Sequence, residues 1–594
     1  MAYNVERHST DVLVVGGGIA GALAAIQARE DGAEVILLER ANTHRSGAAG
    51  SGVDHLFSYV PPVHERVGYT KDDMKEDIAG EWMYQAGLGD RQISDHFVDV
   101  SYERITSLEK YGVKLRFEDA HLPGGFRLMP QFHSIPTSIN FEGRDIKPKL
   151  TKAMISAGVH IINHAAAVDI LNDEDGSAAG AVAVSSREDK VIVVKAKAVI
   201  ISTSGGAGRL TYNVNLDDRY FENPTGSGSG FGITLPLRAG AEIANLEFSI
   251  GEGELAFHGF STRVGSPGSS WWPAARAVDD DGTVVVKRIY DLHIDEPDYK
   301  EKNTKMYAEF MDEFRSMHGQ LAKGRQLYMD FEEATEKEVE YIKWSLSNEG
   351  RSWLYVQNLN KNHIDLKKVK VPYVYARKVS LHGPGSGVIV NWKCETTVPG
   401  LYAAGDTMGV TGGSAPVAVV TGYEAGLQAA AYAKQQSGEK AVSEEKVEKV
   451  LAVLEEIRGN ETGEPWQNIG NAARQIVNTF AVYPLTDERI KNALQLIRKL
   501  KKNTNLYAKD AHEAARSFEV LSLIDAAEAI FVAAQHRTEP FGPYLRVRKY
   551  ADAEKLDQSQ LPADTEVYGL YIDSSGEFQF NTHDYRNRER EARV

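Results

Sequence analysis

The segment Gly16-x-Gly18-x-x-Gly21 constrains this chain more than any other stretch, because of what flanks it. Asp11 to Val15 is an apolar run that reads as a strand, Ala22 to Arg29 reads as a helix, and Glu34 to Leu38 reads as a second strand. That order makes a βαβ unit, which opens a parallel sheet. In such a unit the first glycine permits a tight turn, the second lets a pyrophosphate approach the backbone, and the third lets helix and strand pack closely. The N–H groups at the helix start then face the phosphates. Glycine turns also close ordinary α/β strands, so the triplet alone decides little. Glu39, 21 residues after Gly18, adds the missing part. A carboxylate there accepts hydrogen bonds from the adenosine ribose hydroxyls and argues against a 2′-phosphate. The expected ligand is an adenine dinucleotide.

Two distant segments choose among dinucleotides. Ala198 to Gly208 is an apolar strand ending in a small-residue turn, and Gly400-Leu-Tyr-Ala-Ala-Gly-Asp406 is a second strand ending in an acid. Both resemble the paired segments of flavoproteins in which the acid contacts the ribityl chain of FAD. Either alone is also a glycine turn closing a strand; together with Glu39 they favour FAD over NAD.

Length and composition bound the rest. A chain of 594 residues is too long for one ordinary core. With 67 basic and 83 acidic side chains the net charge is −16, and the short basic run Arg498 to Lys502 reads as a solvated helix end, so no nucleic-acid partner is expected. The single cysteine, Cys394, excludes internal disulfides, zinc clusters and any iron–sulfur centre held by this chain's own thiolates; no metal site is expected. Met1 to Asp11 has no apolar core, and no segment reads as a membrane span, so the expected location is cytoplasmic.

The pattern divides the chain into a first part of a dinucleotide-binding domain at 1–246, an inserted unit with charged helices at 247–370, and a second part of the first domain at 371–436. A helical domain at 441–540 and a hairpin with a charged tail at 541–594 follow. Further strands are expected at Val159 to Ile162, Ala181 to Val184 and Val191 to Thr203, as antiparallel additions to the sheet. Gly226 to Gly232 lacks a helix pattern and a distal acid, so no second nucleotide domain is expected.

The order of Gly16 to Gly21, His44-Arg-Ser-Gly-Ala-Ala-Gly-Ser-Gly52, Ser204 to Arg209, Asn223-Pro-Thr-Gly226, Ala244-Asn-Leu-Glu-Phe248 and the run His382 to Ala425 resembles the fumarate reductase/succinate dehydrogenase flavoprotein superfamily. Arg45-Ser-Gly-Ala-Ala, Gly143 with Lys147-Pro148, and Gly387 to Asp406 are most similar to the α subunit of adenylylsulfate reductases. The resemblance implies an α/β fold: a Rossmann-like FAD-binding domain with an inserted α+β capping domain and a C-terminal helical domain. It implies FAD held non-covalently by Gly16, Gly18, Gly21, Glu39, Arg40, Ser46, Gly47, Ser51, Val168, Ser204, Gly205, Asp406, Ser414 and Ala415. Where membrane fumarate reductases bond a histidine to flavin this chain has Ser46, two positions past His44.

The same resemblance assigns His382 to the substrate, beside the flavin, where an imidazole suits proton transfer or anion binding. His258 and Arg263 are the further catalytic candidates. Trp271 and Trp272 fit a pocket wall or an anchor, and Arg351, Arg377 and Lys378 fit either an anionic substrate or the surface. The superfamily's carboxylate-clamping arginine matches Gly409 here, and no arginine occurs between Arg288 and Arg315 to deliver protons. Lys300 or Lys302 would be the substitutes, without the planar fork of arginine. These departures point away from fumarate. The expected function is two-electron oxidoreduction of a small anionic substrate, adenylylsulfate or sulfite first, with electrons exchanged through a ferredoxin-like iron–sulfur β subunit; the clusters would lie only on that partner chain. The alternatives are a reductase or dehydrogenase of C–C bonds, and an electron-transfer subunit with a vestigial pocket.

Overall fold

A computed structural model describes residues 3–80, 84, 87–129, 135–205, 210, 228–249, 251–257, 274–288, 298–322, 325–349, 352–378, 385–438, 440–481, 485–538, 546–547 and 566–585. The chain opens with strand β1 (Asn4–Val15), helix α1 (Ile19–Glu30) and strand β2 (Val35–Glu39). The last four residues of β1 and all of β2 are buried, as expected of strands covered on both faces. Helix α2 (Ile146–Ser156) leads into β3 (His160–Asn163), β4 (Ala165–Asn172), β5 (Ala178–Ser185) and β6 (Lys190–Ile201). Much later the chain returns as β7 (Leu401–Ala403) and the long helix α3 (Ala415–Gln435).

These strands form one sheet in the order β3-β2-β1-β6-β5-β4, with β7 also paired to β6. The N-terminal half of β6 pairs with β5 and its C-terminal end with β7, while β1 runs along nearly its whole length. The strands expected as antiparallel additions divide. β3 and β6 are parallel to their neighbours β2 and β1, and β5 alone is reversed, antiparallel to both β4 and β6. β4 itself begins Ala165-Ala-Ala, without the bulky residues that advertise a strand start.

Helix α1 lies against α3 through small residues. A side chain added at Gly422 would bring its Cβ within 2.6 Å of the Ala20 carbonyl oxygen, and one at Gly426 within 2.4 Å of that of Ala24. Only glycine allows so close an approach, and an added methyl there would cost about 1–3 kcal/mol. The helices therefore fix each other's N-terminal ends over the sheet.

The inserted unit has its own five-stranded antiparallel sheet, in the order Gly251–Phe257, Val371–Lys378, Leu327–Asp330, Arg276–Asp279, Val284–Val286, and its own hydrophobic core with the helices Tyr299–Ala322 and Glu336–Asn348. The boundary expected at 370 falls inside this unit, because Val371–Lys378 is one of its strands. It docks on the loop that follows β2: Ser345 Oγ donates to the fully buried Asp54, and a Cβ at Gly52 (φ +120°) would meet the Asn348 carbonyl oxygen at 2.3 Å.

The helices of the C-terminal region end with α4 (Ala511–His536) and share one continuous core with the main sheet. The hairpin Val567–Ile572/Phe578–His583 joins Ile243–Ala244 and Gly387–Val388 in a four-stranded sheet. A helix does follow the glycine run at 226–232: Phe231–Arg238, with Gly230 at its N-cap and Pro236 inside. The proline and glycines masked its pattern in the sequence.

Candidate cofactor and active site

Val15, Ile201 and Ala403 are level across β1, β6 and β7, so three turns emerge side by side at the carboxyl ends of three adjacent parallel strands. In open α/β sheets this is where ligands bind. At the first turn Gly16 has φ +101°, and a Cβ there would stand 2.4 Å from the Ser202 carbonyl oxygen. A Cβ at Gly21 would lie 1.9 Å from the Gly16 carbonyl oxygen. At Gly18, the N-cap of α1, the added atom meets nothing within 4 Å. The first and third glycines are thus dictated by the protein's own packing, and the second by open space where a pyrophosphate approaches the backbone.

The peptide at Gly17 is held from both sides. Its N–H donates to Glu39 Oε2 at 2.7 Å, and its carbonyl accepts from Ser46 Oγ at 3.2 Å and from Lys147 Nζ. Glu39 is 7 % exposed, and its other oxygen accepts from the Ala41 N–H at 2.6 Å. Each carboxylate oxygen retains a lone pair for a ribose hydroxyl. Gly47 (φ +81°) brings the loop over the turn, with space for a Cβ only 3.0 Å from the Gly18 Cα. Lys147 is fully buried, and burial pushes its ammonium down to about 8 against the opposing field of Glu39.

The second and third turns contrast with the first. Gly405 (φ +66°) fits between Ala20 and Ala418, and its N–H donates to Thr421 Oγ1 at 2.9 Å. This places Asp406 beside the start of α1. Asp406 Oδ1, Ser414 Oγ and Thr203 Oγ1 are buried and without a hydrogen-bond partner among the described residues. Ser414 is the N-cap of α3, yet its hydroxyl makes no capping bond. Ser204 has φ +73°, and its carbonyl accepts from Thr407 Oγ1 at 3.4 Å, tying the second turn to the third. Unpaired buried polar atoms are costly, about 1–3 kcal/mol each, and three of them around one crevice suit a polar ligand chain such as the ribityl diphosphate of FAD. The residues present therefore fit the cofactor: Gly16 to Gly21, Glu39, Ser46 and Gly47 would hold its adenosine end, and Ser204, Gly205, Asp406, Ser414 and Ala415 its flavin end.

Other expected residues sit differently. Arg40 is engaged by Glu519 of α4 at 2.8 Å. Ser51 is exposed at the end of the short Ala48–Ser51 turn. Val168 lies at a bulge in β4, where the pairing skips from Ala167 to Asp169, and its carbonyl accepts from Arg238 Nη1 at 3.0 Å. Lys300 binds Asp73 and the Gly68 carbonyl, and Lys302 pairs with Asp298, so both substitutes for an arginine are tied to carboxylates. His382, His258, Arg263, Trp271, Trp272 and Arg351 lie outside the described residues, as do the side chains of Arg377 and Lys378.

Two residues escaped the sequence reading of the site. Lys147 shares the buried face of α2 with Leu150 and Met154, and in the sequence it stood out only within the resembling Lys147-Pro148 motif. Asn245 (φ +59°, fully buried) donates to the carbonyls of Leu88 at 3.1 Å and Gly385 at 3.2 Å, while its own Oδ1 has no partner among the described residues. It pins the turn that begins three residues after His382.

Comparison with known proteins agrees with this geometry. The FAD binding domain family matches residues 11–419. The fumarate reductase flavoprotein subunit of Haemophilus influenzae is 24% identical over 581 residues, covering 91% of this chain and 90% of that protein. Among solved structures, adenosine-5-phosphosulfate reductase in complex with sulfite (covalent adduct) superposes with a TM-score of 0.79 at 21% identity, covering 98% of this chain and 96% of that one. A quinol fumarate reductase from E. coli gives 0.74 at 19% identity, covering 98% and 97%. The chain belongs to the FAD binding domain family and is an FAD-dependent oxidoreductase, with a fold like that of the adenosine-5-phosphosulfate reductase and fumarate reductase structures.

Proposed function

We propose that this flavoprotein carries out two-electron chemistry on a small anionic substrate, with adenylylsulfate and sulfite the first pair to test, and exchanges electrons with an iron–sulfur subunit. Bound FAD supplies the two-electron store. The observation that carries the reading is Gly409, the position matching the arginine that clamps a carboxylate in fumarate reductases. A Cβ there would lie 2.3 Å from the Gly387 carbonyl oxygen and 2.9 Å from that of Gly385, so backbone closes the place to any side chain. A dicarboxylate loses its bidentate partner, whereas a singly attached anion does not need one.

His382, just before the turn that Asn245 holds, would orient or protonate the substrate. The N-terminus of α3 at Ser414 adds a favourable field for negative charge. Electrons must leave through another protein or a second substrate, because the sole cysteine, Cys394, is buried, and burial pushes its thiol up. The likeness of fold to an adenosine-5-phosphosulfate reductase in complex with sulfite supports sulfite and adenylylsulfate as the first pair to test. The likeness to the Haemophilus influenzae subunit favours the second reading, a C–C reductase. Steady-state assay with an artificial dye separates them: turnover with sulfite and AMP supports the first, turnover with succinate or fumarate the second, and turnover with none of the panel a vestigial pocket.

A further inference from the structure

The inserted unit meets the rest of the chain at two joints of different chemistry. In the first, the helix Glu336–Asn348 lies on the small antiparallel sheet of His55–Phe57, Ser138–Asn140 and Arg127–Met129. Tyr341, Trp344, Ser345 and Asn348 recur at the helical period and form one face. Arg127, Asn140 and His55 are level across the three strands, so their side chains share one face of the sheet. Tyr341 OH donates to Asn140 Oδ1 at 2.7 Å, and the Arg127 guanidinium lies 4.6 Å from the Trp344 ring centre. Ser345 Oγ donates to one oxygen of Asp54, and His55 Nδ1 is 2.5 Å from the other. A fully buried carboxylate is thus shared between an imidazole on one unit and a hydroxyl on the other. In the second joint Lys300 pairs with Asp73, and Asn303 donates to Tyr69 OH at 3.1 Å.

We propose that the first joint is a proton-dependent latch: protonated His55 neutralises Asp54 in place and keeps Ser345 docked, and neutral His55 lets the inserted unit loosen while the second joint holds. A buried carboxylate is costly unless it is paired. An imidazolium pairs it with a charge-assisted bond, about twice as strong as a neutral one. Burial lowers the pKa of His55, but the Asp54 and Glu349 carboxylates outweigh it and hold the imidazole above its ordinary value. Tyr341 and Arg127 also face the pair; burial pushes the phenol up, and the guanidinium is bonded to Asp119. Neither changes charge near neutral pH, and nor do Lys300 and Asp73. A base whose pKa is raised by docking favours the docked state fully below its ordinary pKa of about 6.5. That contribution is lost as the pH rises through the raised value. The helix also packs on Gly52, at the end of the loop that Gly47 brings over the first glycine turn, so the latch links proton activity to the packing around the cofactor crevice.

The test is hydroxyl-radical footprinting of the FAD-loaded protein at about pH 6 and about pH 9, either side of the histidine range, with the radical dose normalised to a standard peptide. In wild type the labelling of Tyr341 and Trp344 is expected to rise severalfold at the higher pH. Tyr355, buried in the insert's own core, and Tyr69 and Tyr299 at the second joint are expected to stay protected. In His55→Gln the labelling of Tyr341 and Trp344 is expected to be high at both pH values. Ser345→Ala keeps the Asp54–His55 pair but cuts its bond to the insert; it is expected to flatten the pH response in the same way, and it stands in if His55→Gln does not fold. Equal labelling of Tyr341 and Trp344 at the two pH values in wild type overturns the proposal. So does a pH response that persists in the variants, or a rise shared by Tyr355, which marks general unfolding.

Discussion

The two ends of the crevice are built on opposite plans. At the adenosine end the Gly17 peptide is fixed by Glu39, Ser46 and Lys147 before any ligand arrives. At the flavin end Asp406, Ser414 and Thr203 keep buried polar atoms without partners among the described residues. The first end is preorganised, so little ordering free energy is lost when it binds. The second carries an unmet hydrogen-bonding demand that a ligand removes. Affinity is expected to come chiefly from the first end, and the stabilisation of the protein by its ligand from the second.

The largest expected effect is all-or-none. By the resemblance Ser46 takes the place of the flavin-bonded histidine of membrane fumarate reductases; its hydroxyl donates to the Gly17 carbonyl, and His44 is exposed. Acid precipitation should therefore leave all the yellow colour in the supernatant. Flavin retained in the washed pellet would break the account of the loop and point to His44.

Next comes His382→Asn, expected to slow substrate-dependent flavin reduction or reoxidation by ~10²-fold or more while the bound-FAD spectrum hardly changes. Stopped-flow rates normalised to FAD content check it. A loss of flavin occupancy with turnover per flavin preserved would make His382 structural. Glu39→Ala follows, at about one to two powers of ten in FAD affinity, from the roughly 1.5–3 kcal/mol of charge-assisted hydrogen bonds. Titration of the apoprotein reads the loss, and unchanged affinity would remove Glu39 from the site.

The smallest effect sharpens the contrast most. Ser414→Ala removes a buried hydroxyl that has no partner among the described residues, so the apoprotein should keep or slightly gain stability, while the FAD-induced rise in melting temperature shrinks by the equivalent of about 1 kcal/mol. Thermal melts with and without FAD report both. An apoprotein destabilised by the change would show that the hydroxyl has another role.

How legible each end was in the sequence follows from the same contrast. The adenosine end is made almost wholly within one βαβ unit, so Gly16, Gly18, Gly21 and Glu39 could be read in order from local spacing. Lys147 was visible only as part of a resembling motif, because what makes it informative is burial beneath a turn 130 residues away. The flavin end is assembled from segments near 204, 245, 385 and 406–415, which only the sheet brings together. Its acid and small-residue turns were readable; the pairing of β7 beside β6 was not, since three residues of strand carry little pattern. The helix Phe231–Arg238 was hidden by its glycines and Pro236, and the insertion's last strand, Val371–Lys378, pairs with a strand more than 100 residues earlier.

The proposed function meets its most direct test in a single turnover. The FAD-loaded protein is reduced anaerobically and mixed in a stopped-flow instrument with adenylylsulfate or with fumarate. The account predicts rapid return of the oxidised flavin spectrum with adenylylsulfate, release of sulfite and AMP in equal amounts, and no response to fumarate. Reoxidation by fumarate with none by adenylylsulfate would contradict it, and would return the chain to the C–C reductases despite the backbone that closes the place at Gly409.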